Sequence, residues 1–154
     1  MDYLIVKWLH VLSSTLLFGT GLGSAYYMFF ASRTRDPRAV AAVARLVVIA
    51  DWVFTTTTIV LQPLTGWYLA HRAQIPLTTP WIWWTLVLYV LSGVCWLPVV
   101  WLQMRMRDLA AEAAAQDRPL PPTYFRYLRW WTALGVPAFI AMVVIFYLMV
   151  VKPS

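Results

Sequence analysis

Apolar residues fall along this chain in four long blocks, at about 3–31, 46–71, 80–104 and 124–151, separated by shorter stretches rich in charge, proline and threonine. Each block meets the roughly 20 residues that a helix needs to cross a hydrocarbon core of about 30 Å. Backbone polar groups inside lipid must be satisfied within the segment, so each block reads as a helix. The pattern predicts an all-α fold, a four-transmembrane-helix bundle forming a single integral membrane domain over residues 1–154. The first block is too long for the apolar core of a cleaved signal peptide, and its basic residue, Lys7, lies within it rather than ahead of it.

Local signals set the expected boundaries. Asp36-Pro37 opens the second helix, with Asp as N-cap and Pro in the first turn, and Thr79-Pro80 does the same for the third. Pro121-Pro122-Thr123 precedes the fourth, with Thr123 as the expected cap. The run "RMRDLAAEAAAQDR" is rich in helix formers but too polar for lipid, so the third helix should continue past the membrane until Asp117-Arg118-Pro119. Pro63, Pro98 and Pro137 sit near mid-block, where each removes one backbone hydrogen bond and bends its helix.

Charge orients the bundle. Arg33, Arg35, Arg38 and Arg45 border the first connection, and Arg105, Arg107, Arg118, Arg126 and Arg129 border the third. The opposite side carries Lys7, Arg72 and Lys152. Lysine and arginine accumulate in short cytoplasmic loops, so the first and third loops should face the cytoplasm of a bacterial inner membrane and both termini the outer, periplasmic side. The net charge of +6 is then accounted for by topology and lipid headgroups, and no nucleic-acid partner is called for. Tryptophans mark the interfaces, with Trp81, Trp83 and Trp84 outside and Trp101, Trp130 and Trp131 inside; Trp52, Trp67 and Trp96 lie deeper, as packing residues or pocket walls. The single cysteine, Cys95, excludes an intramolecular disulfide and any CxxC motif.

Polar residues recur at helical spacing inside the apolar blocks. Lys7, His10, Ser14, Leu17, Gly21 and Ser24 share one side of the first helix, and Gly19 and Gly23 form a GxxxG pair on a neighbouring side, suited to tight helix packing. Asp51, Thr55, Thr58, Gln62 and Thr65 line the second helix. An ionisable residue in hydrocarbon is costly, so Asp51 should face protein or water, paired with an arginine of the third or fourth helix or serving a proton relay. Thr85, Tyr89, Ser92, Trp96 and Gln103 share a face of the third helix, and the stripes should meet as a polar seam.

His10 is the residue with the most chemical potential. A membrane histidine can be an interhelical hydrogen-bond donor, a metal or heme ligand, or a proton carrier. Lys7 lies one turn above it, and Arg72 and Lys152 end helices on the same surface, a setting that suits a heme with iron on His10 and propionates on outer cations, or equally cations that only snorkel. Met142 is a candidate soft axial partner, or core filler; His71, at the outer end of the second helix, is placed too far from His10 for bis-histidine ligation. The other methionines are scattered in depth and form no ladder for soft-metal transfer. No Ser-His-Asp set, phosphate loop or HExxH motif is present, which leaves hydrolytic and nucleotide-dependent chemistry unsupported.

The landmarks "KWLHVLSSTLLFGTGLGSAYYM", "ADWVFTTTTIVLQPLTGWYLAH", "LTTPW", "CWLPVVWLQMRMRDLA" and "FYLMVVKP" resemble a bacterial family of predicted integral membrane proteins of unknown function. More distantly, K-x-x-H at Lys7 and His10, "LQPLTGWYLA" and "VPAFIAMVVIFYLMVVKP" are similar to the heme-dependent membrane protoporphyrinogen oxidase of the HemJ type and its CopD-like copper-resistance relatives. That group has a lysine early in its third helix, where this chain has Trp83, Trp84 and Thr85. It has an acidic residue before the "VP" of its last helix, where this chain has Gly135. The resemblance therefore implies heme ligation at His10 rather than porphyrinogen oxidation.

Together these features lead to an expected inner-membrane protein that binds heme b through His10 as metal ligand, with a redox or electron-transfer role. A membrane redox partner or a second copy of the chain would serve as partner beside the lipid bilayer. Two other functions fit the same residues: a non-enzymatic membrane scaffold or complex subunit, and a copper or small-solute permease.

Overall fold

The computed structural model describes residues 2–153. Five α-helices make four spans: α1 (Asp2–Thr34), α2 (Pro37–Ala50) and α3 (Thr56–Arg72) joined by a π-helical turn at Asp51–Thr55, α4 (Pro80–Ala115) and α5 (Pro122–Val151). No strand occurs among the described residues. Each span is long and apolar enough to cross a membrane, α2 and α3 together forming the second over Pro37–Arg72. Four crossings place both ends of the described chain on one side, the terminal end, and the two arginine-bordered connections on the other, the arginine-rich end.

The starts of the helices follow the sequence in part. Asp36 caps α2, its carboxylate accepting from the Arg38 backbone N–H at 2.9 Å. Thr79 precedes α4 but caps nothing with its side chain; its hydroxyl donates instead to the Pro76 carbonyl at 2.7 Å. Thr123 lies inside the first turn of α5, and Pro121 takes the cap position, because Pro122 already supplies the fixed φ and missing N–H that suit a first helical residue. Past the membrane α4 continues through Ala115 and stops at Asp117, whose φ of 52° is left-handed.

The buried core gathers at the arginine-rich end. Met28, Val40, Ala44, Leu102, Met106, Ala110 and Tyr124 pack there, and the small alanines let α2 and α4 lie close. The Tyr124 hydroxyl meets Ser32 Oγ at 2.6 Å with both residues buried, tying α5 to α1. Trp131 belongs to this core rather than to the interfacial belt, because α5 turns it toward α4. Trp52 and Trp67 are more than half exposed on the apolar surface, and Trp96 is half-buried.

Packing changes toward the terminal end. There α3 lies along α1 while α5 lies along α4, and the two pairs meet only at isolated points. Phe18 of α1 stacks on Phe139 and touches Phe146 edge-on, each with ring centroids 5.3 Å apart. Tyr89 of α4 donates to the Ile59 carbonyl of α3 at 2.6 Å. Large apolar side chains such as Leu4, Leu46, Val94, Leu97 and Val150 point outward around the bundle, as a surface facing lipid requires.

Candidate functional site

The π-helical turn changes the direction of the second span's polar face. Before it, α2 packs mainly against α4; after it, α3 packs against α1. The Asp51–Thr55–Thr58–Gln62–Thr65 stripe therefore divides into two polar groups, one facing α4 and one facing α1.

The group toward the terminal end surrounds His10. Its Nδ1 lies 2.7 Å from Thr65 Oγ1. The Thr65 hydroxyl donates its own proton to the Leu61 carbonyl at 2.6 Å, so Thr65 can only accept from the ring. The proton of a neutral imidazole therefore sits on Nδ1, and Nε2 carries a free lone pair. Nε2 has no hydrogen-bond partner among the described residues and is not enclosed. Gly66 makes this approach possible: a Cβ there would come within 3.3 Å of His10 Cε1. One turn deeper, the Gln62 amide donates to the His10 carbonyl at 2.9 Å and to Ser13 Oγ at 2.6 Å. A neutral ring held by one hydrogen bond, with its other nitrogen free, is the state in which histidine binds a metal.

Other candidates take different places. On α1, Ser13 and Leu17 are buried beneath His10, whereas Ser14 is half-buried and bonds its own Val11 carbonyl; Lys7 and Gly21 are exposed. Gly19 and Gly23 have nothing within 4 Å of an added Cβ, so the GxxxG pair meets no helix of its own chain. The pairings His10–Thr65 and Ser13–Gln62 set α1 antiparallel to α3, which puts Lys7 one turn and Arg72 about two turns outward of His10, or about 10 Å for Arg72 at 1.5 Å per residue. Lys152 lies at the left-handed end of α5 with its ammonium 5.7 Å above the Trp81 ring. The Phe18 contacts place Met142 level with Phe18, eight residues or about 12 Å inward of His10. His71 stacks on Trp67 at the exposed end of α3.

The group toward the arginine-rich end surrounds Asp51, buried with Thr55 and Gln103. Thr55 Oγ1 donates to Asp51 Oδ1 at 2.9 Å, and Gln103 reaches the same carboxyl from α4. The expected arginine partner is not there. Ion pairs among the described residues are Arg38–Asp117 and Arg107–Asp108, both toward solvent. Arg105 is two residues, about 200° of helix, beyond Gln103, and so points away. Thr58 is buried but bonds backbone carbonyls of its own helix, and Ser92 bonds Leu88 and, at 3.4 Å, Ala138 of α5.

Gly66 and Ser13 were not read as site residues from the sequence, and Thr65, placed in the polar stripe, was not read as the partner of His10. Their signal was an antiparallel register in which position sums are constant, 10 with 65 and 13 with 62. No group of three or more His, Cys, Asp or Glu side chains converges among the described residues. A single axial imidazole does not require one.

The model of a family described as predicted integral membrane protein (DUF2269) matches residues 4–153. No curated protein and no solved structure matches the chain. The likeness to membrane porphyrinogen oxidases thus rests on the quoted sequence motifs alone. The chain belongs to the DUF2269 family of integral membrane proteins, multi-pass and in contact with the lipid bilayer.

Proposed function

We propose that this family member is a b-type heme protein of the bacterial inner membrane with an electron-transfer role, His10 being the axial ligand on the periplasmic half. One observation carries the reading: Thr65 fixes the His10 proton on Nδ1 and leaves Nε2 with a free lone pair that is not enclosed. Iron in a bound heme would supply the one-electron chemistry. His10 would hold it, Thr65 and Gly66 would orient the ring, and Lys7, Arg72 and Lys152 are the cations available to propionates at the terminal end. Met142, some 12 Å inward by helical rise, is not assigned as the second axial ligand.

A visible absorption spectrum of protein purified in detergent, after expression with ample heme, tests the reading. His71→Ala should keep the Soret band of the wild type, and His10→Ala should lose it while circular dichroism stays helical. A Soret band that survives His10→Ala would overturn the assignment of the ligand. Copper or another solute moving across vesicles that contain a heme-free protein would favour the permease function instead.

A further inference from the structure

The heme reading leaves one axial position of the iron without a residue, and the far side of the bundle has a ligand for it. At the terminal end the α1–α3 pair and the α4–α5 pair meet only at isolated points and form two facing walls. His10 belongs to the first wall, and two routes through the bundle give the residue at its level on the second. Phe18 touches both Phe139 and Phe146, and so stands level with Met142 between them. His10 lies eight residues outward of Phe18, and Met149 lies seven residues outward of Met142, which at 1.5 Å per residue leaves them about 2 Å apart in depth. The other route follows hydrogen bonds between antiparallel helices. His10 meets Thr65; six residues outward from the Tyr89–Ile59 bond are Thr65 and Trp83, and nine outward from the Ser92–Ala138 bond are Trp83 and Tyr147, two residues short of Met149.

Rotation agrees with depth. On α5, Ala138 meets α4 and Phe146 meets α1. At about 100° per residue, Met149 falls about 20° past the Ala138 direction and about 60° short of the Phe146 direction, hence between the two and toward the middle of the bundle. It is half-buried, whereas Tyr147 and Val150 are exposed. Lys152 follows Met149 by one turn as Lys7 precedes His10 by one turn, so each wall carries a ligand atom with an ammonium one turn outward. A methionine side chain is unbranched and adaptable, and its soft thioether pairs with histidine on heme iron. Met142 shares this side of α5 but lies about 12 Å inward of His10. We propose that Met149 Sδ is the second axial ligand, so that heme lies between the two helix pairs with His10 on one face and Met149 on the other. The assignment rests on the heme reading and adds to it a six-coordinate, low-spin iron with a potential raised by the thioether.

Optical and electron paramagnetic resonance spectra of the oxidised full-length protein in detergent, loaded with heme, test the ligand. Methionine sulfur on iron(III) gives a weak far-red charge-transfer band, and two strong axial ligands give a low-spin signal; the wild type should show both. Met149→Leu should keep its heme on His10, lose the far-red band, turn high-spin and fall in midpoint potential, whereas Met142→Leu should change none of these. Met149→His should give a low-spin signal without the far-red band. A heme-loaded wild type that is high-spin, or one whose band survives Met149→Leu, overturns the proposal and leaves His10 ligation standing. Loss of the band in Met142→Leu but not in Met149→Leu also overturns it. A folded, colourless wild type overturns the heme reading and this assignment together. Should Met149→Leu not retain heme, Met149→His decides: a far-red band that persists there overturns the proposal.

Discussion

At the scale of single residues, the account turns on how a ring nitrogen is kept free. Among the described residues Thr65 is the only side chain bonded to the His10 ring, so removing its hydroxyl should loosen the ring without touching the ligand atom. Partners of this kind typically change metal affinity by about 10–100-fold. Thr65→Val should therefore lower heme affinity by about that factor in a titration of apoprotein, and Thr65→Ser should restore it. Gly66→Ala acts through space rather than bonding. Its Cβ would press on His10 Cε1 at 3.3 Å, so heme retention should fall even though alanine favours the helix by up to about 1 kcal/mol. Unchanged heme content in purified Gly66→Ala protein would count against this packing. His10 and its one-turn neighbour Lys7 stood out in the sequence because polar residues are rare in apolar blocks. Gly66 did not, because what it permits depends on which helix crosses it. The same reason explains Ser13 in the packed position expected for Ser14: helical spacing defines a face to within one residue, and the crossing partner chooses the residue.

At the scale of elements, the prolines show how a helix defect becomes a tertiary bond. Pro63 cannot donate to the carbonyl four residues earlier, that of Ile59. Tyr89 of α4 donates to that same carbonyl at 2.6 Å. Tyr89→Phe should leave it unpaired in an apolar setting and lower stability by about 1 kcal/mol. Pro63→Ala restores a backbone donor to Ile59, so Tyr89→Phe should cost much less in the Pro63→Ala background. A thermal-melt double-mutant cycle in detergent measures this coupling, and strictly additive effects would contradict it. Both residues were visible in the sequence, but the bond between them follows from where α3 and α4 touch. The π-helical turn was likewise hidden, because the stripe from Asp51 to Thr65 keeps its spacing through it while the partner helix changes from α4 to α1. That change explains why Asp51 meets Gln103 and not an arginine: α4 presents its amide there and carries Arg105 toward the outside.

At the scale of the whole molecule, the four spans were legible because apolar length is a one-dimensional signal, and the helical run beyond the third span because its composition favours helix. How the spans pair was not legible, since apolar faces toward lipid and toward protein look alike. The result is an asymmetric bundle, closely packed at the arginine-rich end and divided into an α1–α3 pair and an α4–α5 pair at the terminal end. The arginines predict that the packed end is cytoplasmic. A periplasm-active reporter at the C-terminus should be active and one inserted at Arg118 silent; the reverse result would turn the bundle over and place His10 on the cytoplasmic half. The claim on which the functional account depends most is that this bundle carries heme on His10. The direct measurement is heme per polypeptide in wild-type protein purified after expression with ample heme, by pyridine hemochrome against quantitative amino-acid analysis. The account predicts about one heme per chain in the wild type and almost none in a helical His10→Ala variant, in keeping with a single axial imidazole. A folded, colourless wild type would contradict it.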